Sequence, residues 1–192
     1  MDVRTRRRLA DMKVVQQQAV ELFTTHGFDA VPVERVATTA GVSPVSVYRW
    51  FGTKEALVLW DDYDPPLLAA IARHLGDRGP LGAVRDGVVE ELDVVYDRDR
   101  ELVLARTRLI HAEPALRAAA THGTTAMEEA LAGLYADAGM GDDDARRRVW
   151  AVVAVGVLRA ALDTWQRQDG RESLADVVTA AFASLEVVAW TA

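Results

Sequence analysis

Residues 33–54 read VERVATTAGVSPVSVYRWFGTK and decide the fold of the N-terminal part of the chain. Ala37, Gly41 and Val47 follow one another at offsets of four and six residues, the spacing of a helix-turn-helix. A small residue at Ala37 lets two helices cross closely, and a glycine at 41 adopts the positive φ that a tight interhelical turn requires. The spacing therefore predicts two short helices joined by a sharp turn.

The second of these helices, expected at 44–51 after a first one at 33–40, has strong start signals. Ser43 is a preferred N-cap, and Pro44 suits the first helical position, where its missing amide hydrogen is not needed. Several side chains lie on faces that packing does not require: Val45, Ser46, Arg49 and Trp50. A short helix with exposed small, hydroxyl and arginine side chains fits the DNA major groove, where arginine bridges guanine O6 and N7.

Helical spacing also dominates the sequence on either side of this segment. Upstream, apolar residues at intervals of three and four predict a helix ending near His26-Gly27: Met12, Val15, Ala19 and Leu22. Downstream, Lys54 is expected to open a longer helix with Thr53 as its N-cap. Asp64-Pro65-Pro66 is expected to interrupt that helix, because proline removes an amide donor and clashes with the preceding turn.

The rest of the chain is punctuated by glycine and proline rather than by strand-like alternation. Further helices are predicted at 66–75, 81–96, 99–111, 114–138, 143–168 and 173–190. The expected fold is all-α, with a three-helix helix-turn-helix domain at 1–53 that binds DNA. Residues 54–192 are expected to form a helical domain for effector binding and dimerisation.

Charge and composition narrow the class of protein. The chain has 192 residues and a net charge of −7, yet residues 1–54 hold eight Lys/Arg against five Asp/Glu, a balance of +3. A basic end on an acidic body suggests a polyanionic partner for the first quarter of the chain only. Cysteine is absent, which excludes disulfides and thiolate chemistry. The longest apolar run, Val149–Leu158, is half a membrane span, so a cytoplasmic protein without a membrane partner is expected.

The segment GVSPVSVYRWFGTKEAL resembles the recognition segment of the tetracycline-repressor (TetR) family. The matching residues stand in register: Ala40, Gly41, Val42, Ser43, Val47, Tyr48, Phe51, Lys54 and Leu57. The stretch RTRLIHAEPALRA and the C-terminal GRESLADVV resemble an actinobacterial subgroup associated with mycofactocin. The resemblance implies a homodimeric repressor that leaves a near-palindromic double-stranded operator when a small, largely apolar effector binds, with no cofactor.

The resemblance also implies roles for individual residues on DNA. Tyr48 is expected to donate its hydroxyl to a phosphate, and Lys54 to neutralise another. Val45 and Arg49 are the expected base readers, while Ser43 and Ser46 contact the backbone. Two positions depart from the family pattern. Pro32-Val33 replaces a frequent threonine, so a hydroxyl–phosphate contact is expected to be missing there. Trp50 replaces a frequent histidine or tyrosine, and its indole N–H is expected either to reach a phosphate or only to cap the small core.

The C-terminal helices show more apolar surface than one small monomer covers, which predicts a partner helix pair. The expected dimer interface consists of Trp150, Val157, Ala161, Val178, Phe182 and Leu185. Aromatic and polar residues are candidates to line an apolar effector cavity: Tyr96, Arg106, Thr107, His111, Met127, Tyr135, Trp150 and Trp165. For each of these, a place in the ordinary core or surface is the alternative.

Two other classes of protein compete with this interpretation. An enzyme would need a converging nucleophile, base or metal cluster, but the sequence contains no H-E-x-x-H motif, P-loop or dinucleotide fingerprint. No metal site and no catalytic residue are therefore expected. A helical dimeric module that binds a protein or small molecule, without sequence-specific DNA binding, leaves the residues from Ala37 to Lys54 unexplained.

Overall fold

The computed structural model describes residues 3–60 and 64–188, with side chains except at 64, 93–98 and 186–188. Within these ranges every regular element is an α-helix, which confirms the expected class. The helices are α1 (Val3–His26), α2 (Val33–Thr39), α3 (Pro44–Phe51), α4 (Ala56–Leu59), α5 (Asp64–His74), α6 (Pro80–Ala112), α7 (Pro114–Asp137), α8 (Asp144–Arg167) and α9 (Leu174–Val188). None of the described helices is long and apolar enough to cross a membrane.

The helix-turn-helix forms where its sequence predicts it. α1 ends at His26, and α2 and α3 match the expected bounds to within one residue. Gly41 has φ +69°, and the amide of Val42 donates to the carbonyl of Ala37 at 2.9 Å, which closes the turn. Ala37 has no exposed surface, as a close helix crossing requires.

The expected long helix from Lys54 to a proline break is wrong. α4 is a single turn that begins at Ala56, although Thr53 Oγ1 accepts a hydrogen bond from the Ala56 amide at 3.2 Å, as a cap would. α5 begins at Asp64, so Pro65 and Pro66 lie in its first turn. Proline is tolerated in the first turn because those amides have no partner within the helix. The two prolines therefore start α5, within two residues of the helix start expected at residue 66.

A second correction concerns the two helices expected at 81–96 and 99–111. They form one continuous helix, α6, of 33 residues. The sequence Tyr96-Asp-Arg-Asp-Arg100 contains no glycine or proline, so nothing in it removes a backbone hydrogen bond. Helix α8 begins within one residue of the expected start at 143, and the side chain of Asp143 caps it by accepting from the Arg146 amide at 2.7 Å.

The chain divides into two compact units, residues 1–60 with 101–121, and residues 61–100 with 122–192. The first unit has a continuous apolar core to which α1 contributes Met12, Val15, Ala19 and Phe23 and α3 contributes Val47 and Phe51. Gln16 is buried at the edge of this core and donates its amide to the carbonyls of Trp60 at 2.6 Å and Val58 at 3.3 Å. These two bonds attach the end of α4 to α1.

The second unit contains the α8–α9 pair, which pack closely on each other. Trp165 of α8 is fully buried and donates its indole N–H to the carbonyl of Glu172 at 3.0 Å. α5 and α6 cross at Gly87, where an added Cβ would lie 2.7 Å from the amide nitrogen of Ile71. Only glycine fits at that crossing without a shift of the backbone.

Candidate nucleic-acid interface

Helix α3 is fixed from below and capped at its start. Val47 and Phe51 are buried on its inner face. At its N-terminus the Ser43 hydroxyl accepts from the Ser46 amide at 3.2 Å and lies 2.9 Å from the Ser46 hydroxyl. A side-chain cap of this kind contributes about 1 kcal/mol to helix stability. The helix is therefore held rigidly enough to present its outer face to a ligand.

The outer face of α3 exposes the side chains that its sequence pattern singled out. Val45 is 75% exposed and Tyr48 is 46% exposed. Arg49 is also exposed, whereas Pro44 and Ser46 are half-buried. An exposed valine next to an exposed arginine, on a short helix, is the combination that suits a thymine methyl group beside a guanine.

Tyr48 does not stand alone on this face. Its hydroxyl donates to the Oε1 atom of Glu34, on α2, at 3.2 Å, and both side chains are exposed. Partial desolvation and, after it, the Glu34 carboxylate raise the pKa of the Tyr48 hydroxyl. The tyrosine is therefore a neutral donor at physiological pH. Glu34 was missed by the sequence analysis, because residues 14 apart on different helices give no periodic signal.

Lys54 lies beside the turn that follows α3. Its ammonium is 4.6 Å from the ring centroid of Phe28 and 5.4 Å from that of Phe23. It also approaches the carbonyl of Asp29 at 3.4 Å. The aromatic faces orient the charge without neutralising it. The half-buried lysine therefore keeps its positive charge.

Trp50 packs against the core of the first unit and remains half-buried. A surface cleft of about 310 Å³ begins at its ring and is lined by Phe51, Thr53, Glu55, Ala56, Leu59, Trp60 and Ala119. Packing against this core therefore accounts for the partial burial of the Trp50 ring. A phosphate contact by its indole N–H stays a prediction.

The residues expected around an effector cavity fall into both units. In the second unit, the rings of Tyr135 and Trp150 meet edge to face at 6.1 Å. Tyr135 is fully buried, its hydroxyl donates to the carbonyl of Pro80 at 3.2 Å, and burial raises its pKa. Tyr135 and Trp165 thus each direct their one donor at a backbone carbonyl of the same unit. Met127 is half-buried, and the Tyr96 side chain lies outside the described residues.

The remaining effector candidates belong to the first unit. Arg106 and Thr107 are half-buried, while His111 is exposed. Arg106 approaches the carbonyl of Trp60 at 3.5 Å, and Thr107 donates to the carbonyl of Val103 at 2.8 Å. An effector contact by any of these residues stays a prediction.

The expected dimer residues differ in their exposure. Ala161, Val178 and Phe182 are buried within the chain itself, whereas Trp150, Val157 and Leu185 are half-buried. Two apolar residues that the sequence analysis left out are exposed on α8, Val149 at 59% and Val152 at 52%. Their spacing of three residues puts them on one face of the helix.

Family models match both parts of the chain. Residues 17–59 match the model described as bacterial regulatory proteins, tetR family. Residues 78–189 match the model of the MftR C-terminal domain. The second match covers more than half of the chain.

Named relatives and solved structures agree with these models. The HTH-type transcriptional regulator TcmR of Streptomyces glaucescens is 32% identical over 78% of this chain and 70% of its own length. The Mycobacterium tuberculosis protein that carries the name mycofactocin biosynthesis transcriptional regulator MftR is 27% identical over 92% of this chain and 90% of its own. The crystal structure of Thermus thermophilus FadR, a repressor in complex with lauroyl-CoA, matches with a TM-score of 0.56 at 19% identity, over 90% and 91% of the two chains.

Proposed function

The chain belongs to the TetR family of bacterial transcriptional regulators, and we propose that it acts as a homodimeric repressor that a small, largely apolar effector releases from its operator. It is a DNA-binding regulator and not an enzyme. The proposed site of action is the cytoplasm, where its DNA partner lies. The observation that carries the proposal is the outer face of α3. Val45, Tyr48 and Arg49 are exposed there, on a helix whose N-terminus is capped and whose inner face is buried.

Base reading is assigned to Val45 and Arg49. Their side chains project from the first two turns of α3, the part of a recognition helix that reaches base edges in the major groove. Arg49 donates to O6 and N7 of a guanine, and Val45 packs on a thymine methyl group.

The phosphate contacts hold α3 in register. Tyr48 and Lys54 flank its outer face, one as a neutral donor and the other as a cation. Ser43 and Ser46 contribute hydroxyl groups at the start of the helix, where Pro44 makes no amide contact. Such contacts fix orientation and carry no sequence information directly.

Dimerisation is assigned to α8 and α9, with Val149 and Val152 as the exposed apolar contacts. Ala161, Val178 and Phe182 already pack within one protomer, so their role is to shape the helix pair beneath the interface. A two-fold dimer presents two copies of α3 to half-sites about one helical turn apart, so the operator is a near-palindrome.

The effector is proposed to bind among the helices of the second unit. The T. thermophilus protein of similar fold holds lauroyl-CoA. Here the rings of Tyr135 and Trp150 meet edge to face and offer aromatic walls of the kind that apolar ligands contact. The protein leaves the operator if the effector moves α4. The carbonyl of Trp60 at the end of α4 accepts from the side chains of Gln16 and Arg106. Since half-site spacing is fixed by the duplex, a small shift of each α3 breaks one groove contact.

Selection of bound duplexes from a random DNA pool tests the proposal. The expected product is an inverted repeat with half-sites about one helical turn apart. Sedimentation of the wild type is expected to give a dimer at micromolar concentration, and Val152→Glu a monomer that binds the selected duplex poorly. Ala69→Glu, at an exposed position of α5 in the second unit and outside the helices assigned to dimerisation, is the charge-matched control. Retention of random sequence without enrichment contradicts the proposal and favours a helical interaction module.

A further inference from the structure

Glu34 places a negative charge on the surface assigned to DNA. It lies in the first turn of α2, its side chain is exposed, and its Oε1 atom accepts the hydroxyl hydrogen of Tyr48 at 3.2 Å. The residue contributes nothing to the core of the first unit, and its place in the first turn of α2 is one where the helix dipole favours a negative charge. The contact therefore bears on what the tyrosine can bind.

A tyrosine hydroxyl has one hydrogen to donate. In the free protein that hydrogen is directed at Glu34, whereas a phosphate contact requires the same hydrogen. A phosphate oxygen placed on Tyr48 would also approach the carboxylate, and two negative charges at such a distance repel each other. DNA binding therefore has to displace the Glu34 carboxylate from the Tyr48 hydroxyl and bring a phosphate close to that carboxylate.

We propose that Glu34 is an intramolecular competitor of the DNA backbone for Tyr48, and that it lowers the affinity of the protein for duplexes of every sequence. The inference rests on the proposed function, since it requires that the outer face of α3 meets DNA. The competition acts on a phosphate contact, so it weakens operator and non-operator DNA by the same factor. It makes the repressor easier to displace without altering which bases it reads.

Two substitutions at one position separate charge from hydrogen bonding. Glu34→Gln keeps the size and an acceptor for Tyr48 but removes the charge, and Glu34→Ala removes both. We expect Glu34→Gln to strengthen binding by about two- to fivefold per half-site, and Glu34→Ala by at least as much. The salt dependence should become steeper by up to about one unit of slope per carboxylate removed.

The matched control is Glu21→Gln, at an exposed acid on α1 that accepts a hydrogen bond from the neighbouring Gln18 at 3.4 Å. It changes the net charge equally and is expected to leave affinity within about twofold of the wild type. Tyr48→Phe removes the hydroxyl, and in that background the effect of Glu34→Gln should shrink. Equal effects of Glu34→Gln with and without the hydroxyl contradict competition for Tyr48.

A measurement on the free protein examines the contact without DNA. Because Glu34 raises the pKa of Tyr48, Glu34→Gln should move the titration of that tyrosine, followed by its ring carbon resonances, to lower pH. Glu21→Gln should leave it in place. An unchanged Tyr48 titration in Glu34→Gln overturns the contact on which the inference depends.

The binding measurements use fluorescence anisotropy on the selected operator and on a scrambled duplex at three salt concentrations. Equal strengthening on both duplexes supports the inference. If Glu34→Gln matches Glu21→Gln, or weakens binding with relaxed preference at one base pair, Glu34 is not a competitor. Failure of the wild type to bind any duplex instead overturns the proposed function.

Discussion

Helix α3 exposes polar side chains to solvent, whereas two aromatic residues of the second unit donate their polar hydrogens to backbone carbonyls of that unit. Arg49 and Tyr48 are exposed on α3. Trp165 and Tyr135 are fully buried and donate to the carbonyls of Glu172 and Pro80. Side chains of similar chemistry thus serve recognition in one region and packing in the other.

The difference teaches how each region responds to substitution. A group that binds DNA is exposed, and a partner within the protein, such as Glu34 for Tyr48, is exposed with it, so loss of the group changes affinity more than stability. A buried aromatic with a backbone partner contributes its packing and its hydrogen bond to the folded state, so its loss changes stability first. Substitutions in the two regions should therefore separate effects on DNA affinity from effects on stability.

The largest expected effect is in the second unit. Trp165→Ala should lower the free energy of unfolding by about 3–5 kcal/mol, because it removes a fully buried ring. Trp165→Phe keeps most of the packing and leaves the Glu172 carbonyl without its donor, so it should cost less. Urea unfolding followed by circular dichroism measures both. A loss below about 1 kcal/mol for Trp165→Ala would show that the ring borders open space, as an effector wall would.

The next effect concerns the crossing of α5 and α6. Gly87→Ala should lower the free energy of unfolding by about 1–3 kcal/mol, because the new Cβ meets the backbone of Ile71 at 2.7 Å. Gly133→Ala is the matched control, since a Cβ there meets nothing within 4 Å. On a helix interior that change should stabilise by up to about 1 kcal/mol. Thermal melting of the two variants should give shifts of opposite sign, and shifts of the same sign contradict the close crossing.

On α3, unlike in the second unit, a substitution should change DNA affinity more than stability. Arg49→Ala should weaken operator binding by about 1–3 kcal/mol and relax preference at one base position, with stability changed by less than about 0.5 kcal/mol. Lys54→Ala should weaken binding on all sequences alike and flatten the salt slope by about one unit. Anisotropy titrations on operator and scrambled duplexes distinguish the two. Uniform weakening by Arg49→Ala would reassign that residue to a phosphate.

The smallest effect is at the start of α3. Ser43→Ala removes the acceptor for the Ser46 amide and should lower the free energy of unfolding by about 1 kcal/mol. Ser43→Asp should restore most of that loss, since aspartate is an equally good N-cap. On DNA, however, the added charge should weaken binding on every sequence. Recovery of both stability and affinity would mean that Ser43 lies away from the phosphates.

Local signals account for what the sequence predicted of the fold. Gly41 and Pro44 fix the helix-turn-helix because each sets the backbone at its own position, Gly41 in the turn and Pro44 at the start of α3. Asp143 likewise acts locally, as the N-cap of α8. The predicted break near residues 97–98 failed because no glycine or proline stands there to end a helix. Pro65 and Pro66 lie at the start of α5, close to the helix start expected at residue 66, whereas the helix expected to run from Lys54 up to them ends at Leu59.

The candidate site was predictable only where one element carries it. The outward residues of α3 share one helix, so their spacing shows which face they occupy. Glu34 and Gln16 act across helices, and sequence spacing does not determine such contacts. The exposure of Val149 and Val152, against the burial of Phe182, likewise depends on how α8 and α9 turn toward each other. An apolar stripe alone does not distinguish a core from an interface.

Methylation interference on the selected operator tests most directly the claim that α3 reads DNA in the major groove. Methylation at guanine N7 alters only the major groove, so it should block binding of the wild type at guanines in two patches about one helical turn apart. In Arg49→Ala, interference should disappear at one guanine of each patch and persist elsewhere. The account is contradicted if guanine N7 methylation does not affect binding, or if the same guanines interfere in Arg49→Ala as in the wild type.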